Sequence, residues 1–257
     1  MKIEVTLNGA KVAGCPGMTI LELARENHVD IPTLCYHPDL TPIGVCRICV
    51  VEVEGSRVLL PACQTQIAPG MVVQTHSPKV VETRKTLVEL MLSSHPDVCL
   101  VCDKGNHCEL RQVAGDPGIS MPRFRMKRHY YPSEDAGPYV VRDLTKCILC
   151  RRCVRACHEI KRADILAMGY QGFSSKVVAG RDEPLNAPVC QSCDVCISVC
   201  PVGALAKRGR GAHRGQGRTT HGGCRVPAPT PCASRDSEVR SEEAVSEGCR
   251  DESLPRD

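Results

Sequence analysis

Alternating apolar and polar residues over 2–7 (Lys-Ile-Glu-Val-Thr-Leu) predict a half-buried strand. Asn8-Gly9 is a tight hairpin signal, and Lys11-Val12 starts the return strand. Thr19-Ile20-Leu21-Glu22 has the spacing of a capping box, in which hydroxyl and carboxylate each satisfy a free amide at a helix start. It opens a short helix with Ile20, Leu21, Leu23 and Ala24 available for burial, and Pro32 ends that region. A strand is expected at Val50–Val53, with its turn at Glu54-Gly55. Residues 78–94 have helical periodicity, with Val80, Val81, Leu87, Val88, Leu90, Met91 and Leu92 on or near the inner side. A second helical stretch starts at Glu109, residues 115–141 show little periodicity, and 158–189 read as an insertion holding a short helix and a hairpin. From 207 to 257 the pattern stops: four Val or Leu and no aromatic residue among many Gly, Pro, Ser and Arg cannot bury a core, so a disordered tail is expected.

These apolar groups are sparse for 257 residues; aromatics make up 3% and Trp is absent, yet there are 19 cysteines. Metal or cross-links must therefore replace part of the core. Met1 to Thr6 contain no secretory apolar segment, and no apolar run reaches membrane-spanning length. A cytoplasmic protein with free thiolates is expected, which favours metal over disulfide and excludes direct membrane insertion.

The cysteines concentrate in two runs. Cys147, Cys150, Cys153 and Cys157 are spaced C-x2-C-x2-C-x3-C, and Cys190, Cys193, Cys196 and Cys200 repeat the spacing, closing on Pro201. Three thiolates on one tight loop reach three irons of a cubane, while the fourth has entered a helix and points to the other cluster, as in two-cluster bacterial ferredoxins. One [4Fe–4S] centre is therefore assigned to Cys147, Cys150, Cys153 and Cys200, the other to Cys157, Cys190, Cys193 and Cys196. Zinc knuckles are the alternative, but tetrahedral zinc has no use for the third and fourth cysteines of each run.

Two further sets precede these. Cys35, Cys46, Cys49 and Cys63 are spaced C-x10-C-x2-C-x13-C, with Gly44 just before the central pair. Two ligands on a tight loop and two from flanking segments suit a [2Fe–2S] rhomb, and Gly44 lets backbone amides approach its sulfides. The spacing differs from plant-type ferredoxins, and a structural zinc site stays open on spacing alone. His95, Cys99, Cys102 and Cys108 form H-x3-C-x2-C-x5-C, one imidazole and three thiolates. They suit a [4Fe–4S] centre, with Cys3His zinc as the rival. His107 is left as a surface or supporting residue, and no metal is assigned to Cys15, Cys224, Cys232 or Cys249.

The formal charge of +4 changes meaning if these sites are filled. Three all-cysteine sites at about −2 each and one Cys3His site at about −1 bring the loaded chain to about −3. The basic residues then balance cofactors. The group Arg123, Arg125, Lys127 and Arg128 beside Tyr130 and Tyr131 reads as a solvated linker or a docking surface for an acidic partner, and no nucleic-acid partner is expected.

Cys35 with GVCRICVVEVEG, PACQTQIAPGM, SSHPDVCLVCDKGNHCEL and the eight-cysteine runs occur here in an order that resembles the N-terminal iron–sulfur module of the complex I large iron–sulfur subunit. The same module occurs in the diaphorase small subunit of NAD-linked hydrogenases, in [FeFe] hydrogenases and in NAD-dependent formate dehydrogenase alpha subunits. The resemblance covers 1–206. It implies an α+β architecture: a β-grasp [2Fe–2S] ferredoxin domain (1–77), a helical His/Cys3 segment (78–118) and a double-[4Fe–4S] ferredoxin-like domain (119–206), from which the compositionally biased tail (207–257) departs. It also implies that His95 is an iron ligand. The eight-cysteine part looks closer to the hydrogenase and formate dehydrogenase versions. Two accounts of the tail stay open, a stand-alone diaphorase-type subunit or an N-terminal fragment whose frame is lost after about Ala206.

No G-x-G-x-x-G follows a strand, and no residues for a hydrogenase or formate site are present. The expected role is an electron-transfer subunit or module with one [2Fe–2S] and three [4Fe–4S] clusters, relaying between a flavin/NAD(P)H-binding subunit and a hydrogenase or formate dehydrogenase subunit or domain. An NADH-quinone oxidoreductase subunit is the alternative. A zinc-binding interaction module is the rival of another class, and a radical enzyme is disfavoured by the lack of barrel-length βα repeats.

Overall fold

The computed structural model describes residues 2–115, 118–119, 121–124, 126, 130–131 and 138–208. Residues 209–257 of the expected tail, together with Arg125, Lys127 and Arg128, lie outside them, whereas Lys207, expected in the tail, closes a strand.

β1 (Ile3–Leu7) and β2 (Ala10–Gly14) form the expected hairpin, with Val5 opposite Val12. Asn8 and Gly9 turn it with positive φ. β3 (Val50–Val53), β4 (Leu60–Pro61) and β5 (Val72–Gln74) complete a mixed sheet ordered β2-β1-β5-β3-β4, in which only β1 and β5 run parallel. The predicted capping box is present: Thr19 Oγ1 accepts from the Glu22 amide, and Glu22 Oε2 accepts from the Thr19 amide at 2.8 Å. It starts α1 (Ile20–Glu26), whose Ile20, Leu21, Leu23 and Ala24 bury against Val5, Leu7, Val51 and Val73 of the sheet.

α2 (Pro78–Ser94) begins at the Ser77 cap and ends at His95. Its inner face differs from the expected one. Val80 and Val88 are buried, but Val81 and Leu90 are exposed, and Arg84, Glu89 and Ser93 are buried instead. Each polar group has a partner that a helical pattern does not reveal. Arg84 donates to the Val50 carbonyl at 2.8 Å, Ser93 to Leu90 O at 2.7 Å, and Glu89 accepts from Arg123 at 2.7 Å. Arg123, expected to serve a linker or docking surface, is exposed and pairs with Glu82 as well as Glu89, so it is tied to α2 at the surface.

α3 (Glu109–Gly115) follows Cys108. β6 (Val140–Arg142) pairs antiparallel with β9 (Leu205–Lys207), tying the two ends of the eight-cysteine region together. Between them lie α4 (Arg152–Arg155), continued by a π turn at Ala156–Ile160, the hairpin β7 (Leu166–Gly169) and β8 (Lys176–Ala179), and α5 (Val195–Ser198). The expected hairpin in 158–189 is present, and in place of a short α-helix the span holds the end of the π turn, a 3-10 turn at Gly172–Ser174 and the start of another at Pro188–Gln191. One continuous core runs from Leu34, Cys35 and Ile48 through Val88 and Leu110 to Leu144, Val177 and Leu205. Among the described residues it touches members of all four candidate ligand sets.

Among the described residues no helix is long and apolar enough to cross a membrane.

Candidate metal centres

Cys35, Cys46, Cys49 and Cys63 are all buried. The antiparallel β3–β4 pair and the Ala62 amide, which donates to the Cys49 carbonyl at 3.0 Å, bring Cys49 beside Cys63. Left-handed Gly44 (φ 58°) and Arg47 (φ 59°) curl the loop so that Cys46 reaches Cys35. Hydrogen bonds from the Cys46 and Cys63 thiols, with amide donors at Cys46 and Val45, hold Cys35 far below the usual thiol range. The same contacts raise Cys46 and Cys63, and the Cys63 thiol brings Cys49 to about 7. Four thiols this close cannot all ionise unless a cation joins them, and a [2Fe–2S] core would supply that charge.

A Cβ on Gly44 would collide with Gln64 Oε1. The Gln64 amide in turn donates to the Pro42 carbonyl at 3.3 Å, so it lies across the loop as a lid. Sequence reasoning passed over this glutamine. Its only signal is its place next to Cys63.

His95 caps the C-terminus of α2, its amide bonded to the Met91 and Leu92 carbonyls. Ring Nδ1 meets the Pro96 carbonyl at 3.1 Å, and buried Nε2 has no hydrogen-bond partner. With Nδ1 protonated, Nε2 presents a lone pair, and burial keeps the ring neutral by lowering its pKa. An orphaned imidazole nitrogen fits a metal ligand. Cys99 is exposed on a 3-10 turn, while Cys102 and Cys108 are half-buried. Burial raises the Cys108 thiol, opposed by amides at the start of α3, and Cys102 and Cys99 act on it as neighbouring charges.

The eight-cysteine region contains two cavities. One, of ≈ 390 Å³ counting the solvent at its mouth, is lined by Cys147, Cys150, Cys153 and Cys200 with Leu144, Val177 and Leu205. The other, of ≈ 370 Å³ on the same basis, is lined by Cys157, Cys190, Cys193 and Cys196 with Leu166, Leu185 and Val195. Each therefore takes three thiols from one run and the fourth from the other. Leu149 (φ 55°) and Arg151 (φ 61°), both left-handed without being glycine, bend the first loop around its cavity. The π turn after α4 carries Cys157 towards the second. Burial in these apolar walls pushes Cys147 up to about 11, Cys150 and Cys196 to about 12, and Cys153 well above its ordinary value. Thiols that resist ionising alone become thiolates only against a positive core. Among the described residues no three such side chains converge at the spacing of a single metal ion; a polynuclear core spreads its ligands over several metal atoms.

Sequence reasoning expected basic residues to balance the cofactors but did not single out which ones. Arg152 is buried and forms a bidentate pair with Glu109. Arg84 and Arg155 are buried as well, yet among the described residues they donate only to backbone carbonyls. Buried guanidiniums need negative charge nearby, and thiolate-held clusters would provide it. The signal was present, because arginines 151, 152 and 155 are interleaved with the cysteines of the first run.

Comparison with known proteins finds iron–sulfur domains along the chain. Residues 1–78 match the 2Fe-2S iron-sulfur cluster binding domain, 84–123 the NADH-ubiquinone oxidoreductase-G iron-sulfur binding region, and 137–206 the NADH-quinone oxidoreductase subunit 3 ferredoxin-like domain. The chain is 38% identical over 211 residues to the NADP-reducing hydrogenase subunit HndD of Solidesulfovibrio fructosivorans, spanning 80% of this chain and 36% of that one. It is 39% identical over 205 residues to the G 2 subunit of NADH-quinone oxidoreductase from Rhizobium meliloti, spanning 79% of this chain and 24% of the relative. The chain thus spans about a third or less of these curated relatives. A chain in the crystal structure of NAD+-reducing [NiFe]-hydrogenase in the H2-reduced state superimposes with a TM-score of 0.73 at 28% identity, covering 83% of this chain and 90% of that one. The chain thus carries, in this order, the 2Fe-2S domain and 4Fe-4S binding regions of an N-terminal iron–sulfur module that it shares with the G subunits of NADH-quinone oxidoreductase and with an NADP-reducing hydrogenase subunit.

Proposed function

We propose that the chain relays electrons between a flavin-bearing NAD(P)H subunit and a hydrogenase- or formate dehydrogenase-type catalytic site. The observation that carries this reading is the pair of cavities, each lined by three thiols of one run and the fourth of the other. Cys35, Cys46, Cys49 and Cys63 hold a [2Fe–2S] cluster. His95, Cys99, Cys102 and Cys108 hold a [4Fe–4S] cluster; Cys147, Cys150, Cys153 and Cys200 a second; Cys157, Cys190, Cys193 and Cys196 a third. When bound, these groups supply one-electron redox chemistry.

The chain's own residues provide the surroundings. Leu144, Val177 and Leu205 on one side, and Leu166 and Leu185 on the other, exclude water from the two cavities. Amides at Val45, Cys46 and Ile48 donate to the Cys35 and Cys46 sulfurs and favour the thiolates. Arg84, Arg152 and Arg155 offset the negative charge of the filled sites. On this reading the chain divides into 1–77, 78–118, 119–206 and 207–257, and it works in the cytoplasm, where free thiolates persist.

A second reading, an NADH-quinone oxidoreductase subunit, is favoured by the Rhizobium meliloti relative and by two of the family matches. Isolation with native partners under anaerobic conditions distinguishes them: hydrogenase or formate dehydrogenase chains support the first, a quinone-reducing assembly the second. The same preparation tests the cluster assignment. A brown protein with about fourteen irons, from one two-iron and three four-iron centres, is expected. A colourless, zinc-loaded protein overturns it.

A further inference from the structure

Arg155 lies in sequence between Cys153 and Cys157, on the helix that serves both cubane cavities. Its guanidinium does not face those cavities. It crosses to the first domain and donates to two backbone carbonyls there, those of Cys35 and Thr41. The residue is 8% exposed, Cys35 is fully buried, and Arg155 Nε has no partner. The junction is reinforced on both sides. One turn along the same segment, the Glu159 carboxylate accepts from the Thr41 amide at 2.7 Å. Leu40 packs on Ala156 and Val199 in a small apolar cluster of its own.

A positive charge therefore sits on the carbonyl of one [2Fe–2S] ligand, held there by the helix that carries cubane ligands. Among the described residues no carboxylate pairs with it. The Glu159 carboxylate is taken up by the Thr41 amide and not by the guanidinium, and a cation without a direct carboxylate partner in a water-poor position favours the form of a nearby centre that carries one more electron. The rigid fork also fixes two points of the 35–41 loop at once, which a single ammonium cannot do.

We propose that Arg155 is a positioning residue for electron transfer, clamping the Cys35 loop onto the two-cubane domain and raising the midpoint potential of the [2Fe–2S] centre. It rests on the cluster assignment under Proposed function. Arg155→Gln removes the charge and keeps a planar amide; Arg155→Lys keeps the charge and loses the fork. Both are compared with the wild-type chain in its anaerobically loaded form. Midpoints come from redox titration followed by electron paramagnetic resonance, and the relaxation of the reduced [2Fe–2S] signal reports its nearest reduced cubane.

With Gln, the oxidised-to-reduced ratio of the [2Fe–2S] centre at a fixed potential is expected to rise about tenfold, equivalent to about 59 mV for one electron. Lys is expected to give a smaller shift in the same direction, with slower relaxation than wild type. A Gln variant that keeps its [2Fe–2S] centre at the wild-type midpoint overturns the proposal. If Gln fails to retain that centre, the Lys variant decides alone, and a wild-type midpoint together with wild-type relaxation overturns it. Iron and sulfide content of the wild-type chain is read first. Their absence defeats the cluster assignment, whereas a loaded chain with unmoved variants defeats only the role of Arg155.

Discussion

Arg152 donates both terminal nitrogens to Glu109, at 2.6 Å to Oε1 and 2.7 Å to Oε2. The arginine opens α4 directly before Cys153, and the glutamate directly follows Cys108. A third bond, from the Glu109 amide to the Pro201 carbonyl at 2.9 Å, ties the same residue to the end of the second run. The pair thus fixes the His/Cys3 segment against the first cubane loop. Glu109→Ala leaves a guanidinium with a 4%-exposed side chain facing no carboxylate. Removing one partner of a buried pair costs several kcal/mol, and because Glu109 is itself 38% exposed the lower end applies, about 2 kcal/mol. Thermal unfolding of the loaded protein is expected to show that loss, with Glu109→Gln recovering part of it. An unchanged melting curve for Glu109→Ala would mean that the pair contributes nothing.

The distribution of cysteines between the two cavities separates the chain's sequence neighbours from its spatial ones. Cys157 is four residues from Cys153 in sequence, yet it lines the cavity of Cys190, Cys193 and Cys196. Cys157→Ser is expected to destroy or alter the centre in that cavity and to leave the Cys147, Cys150 and Cys200 centre intact. Resonance spectra of the two reduced cubanes check this. Damage confined to the Cys147 centre would refute the exchange.

His95 offers a neutral donor where the other three sites have only thiolates. Its Nδ1 is engaged with Pro96, so Nε2 is the free donor atom. His95→Cys is expected to retain a cluster and lower its midpoint, since a thiolate adds one negative charge. A midpoint equal to that of wild type would show that the imidazole never touched iron.

The parts of the fold that were legible in the sequence are those whose cause is local. Thr19 and Glu22 meet across one helical turn, Asn8 and Gly9 occupy a two-residue turn, and the cysteine spacings record the reach of single loops. What failed depends on partners far along the chain. Val81 and Leu90 lost the inner side of α2 to Arg84 and Glu89 because the Val50 carbonyl and Arg123 wait there, 34 residues away in either direction. The cation bridges were hidden for the same reason. Arg155 and Cys35 are 120 residues apart, and nothing in the spacing of either predicts the other. Metal-binding loops write their chemistry into short spacings, but the charges that balance them arrive from elsewhere.

Gly203 supplies the last test, because its role is a close approach and not a turn. A Cβ built there would lie 2.9 Å from Cys102 Sγ and 3.3 Å from the Lys104 Cβ. Contacts that short force something to shift, and here both neighbours belong to the loop between Cys99 and Cys108. The backbone of Gly203 is itself held in place, since neighbouring Ala204 accepts from the Asp143 amide at 2.8 Å and Leu205 pairs with Arg142. The loop must therefore yield. Gly203→Ala is expected to broaden or displace the spectrum of the His/Cys3 centre while both cubanes of the eight-cysteine region keep theirs, and to lower iron content by no more than that one centre. Resonance spectra at graded potentials, with iron analysis of the same samples, check both points. Equal disturbance of all three [4Fe–4S] signals would mean that Gly203 serves the packing of the whole region and not the approach to Cys102.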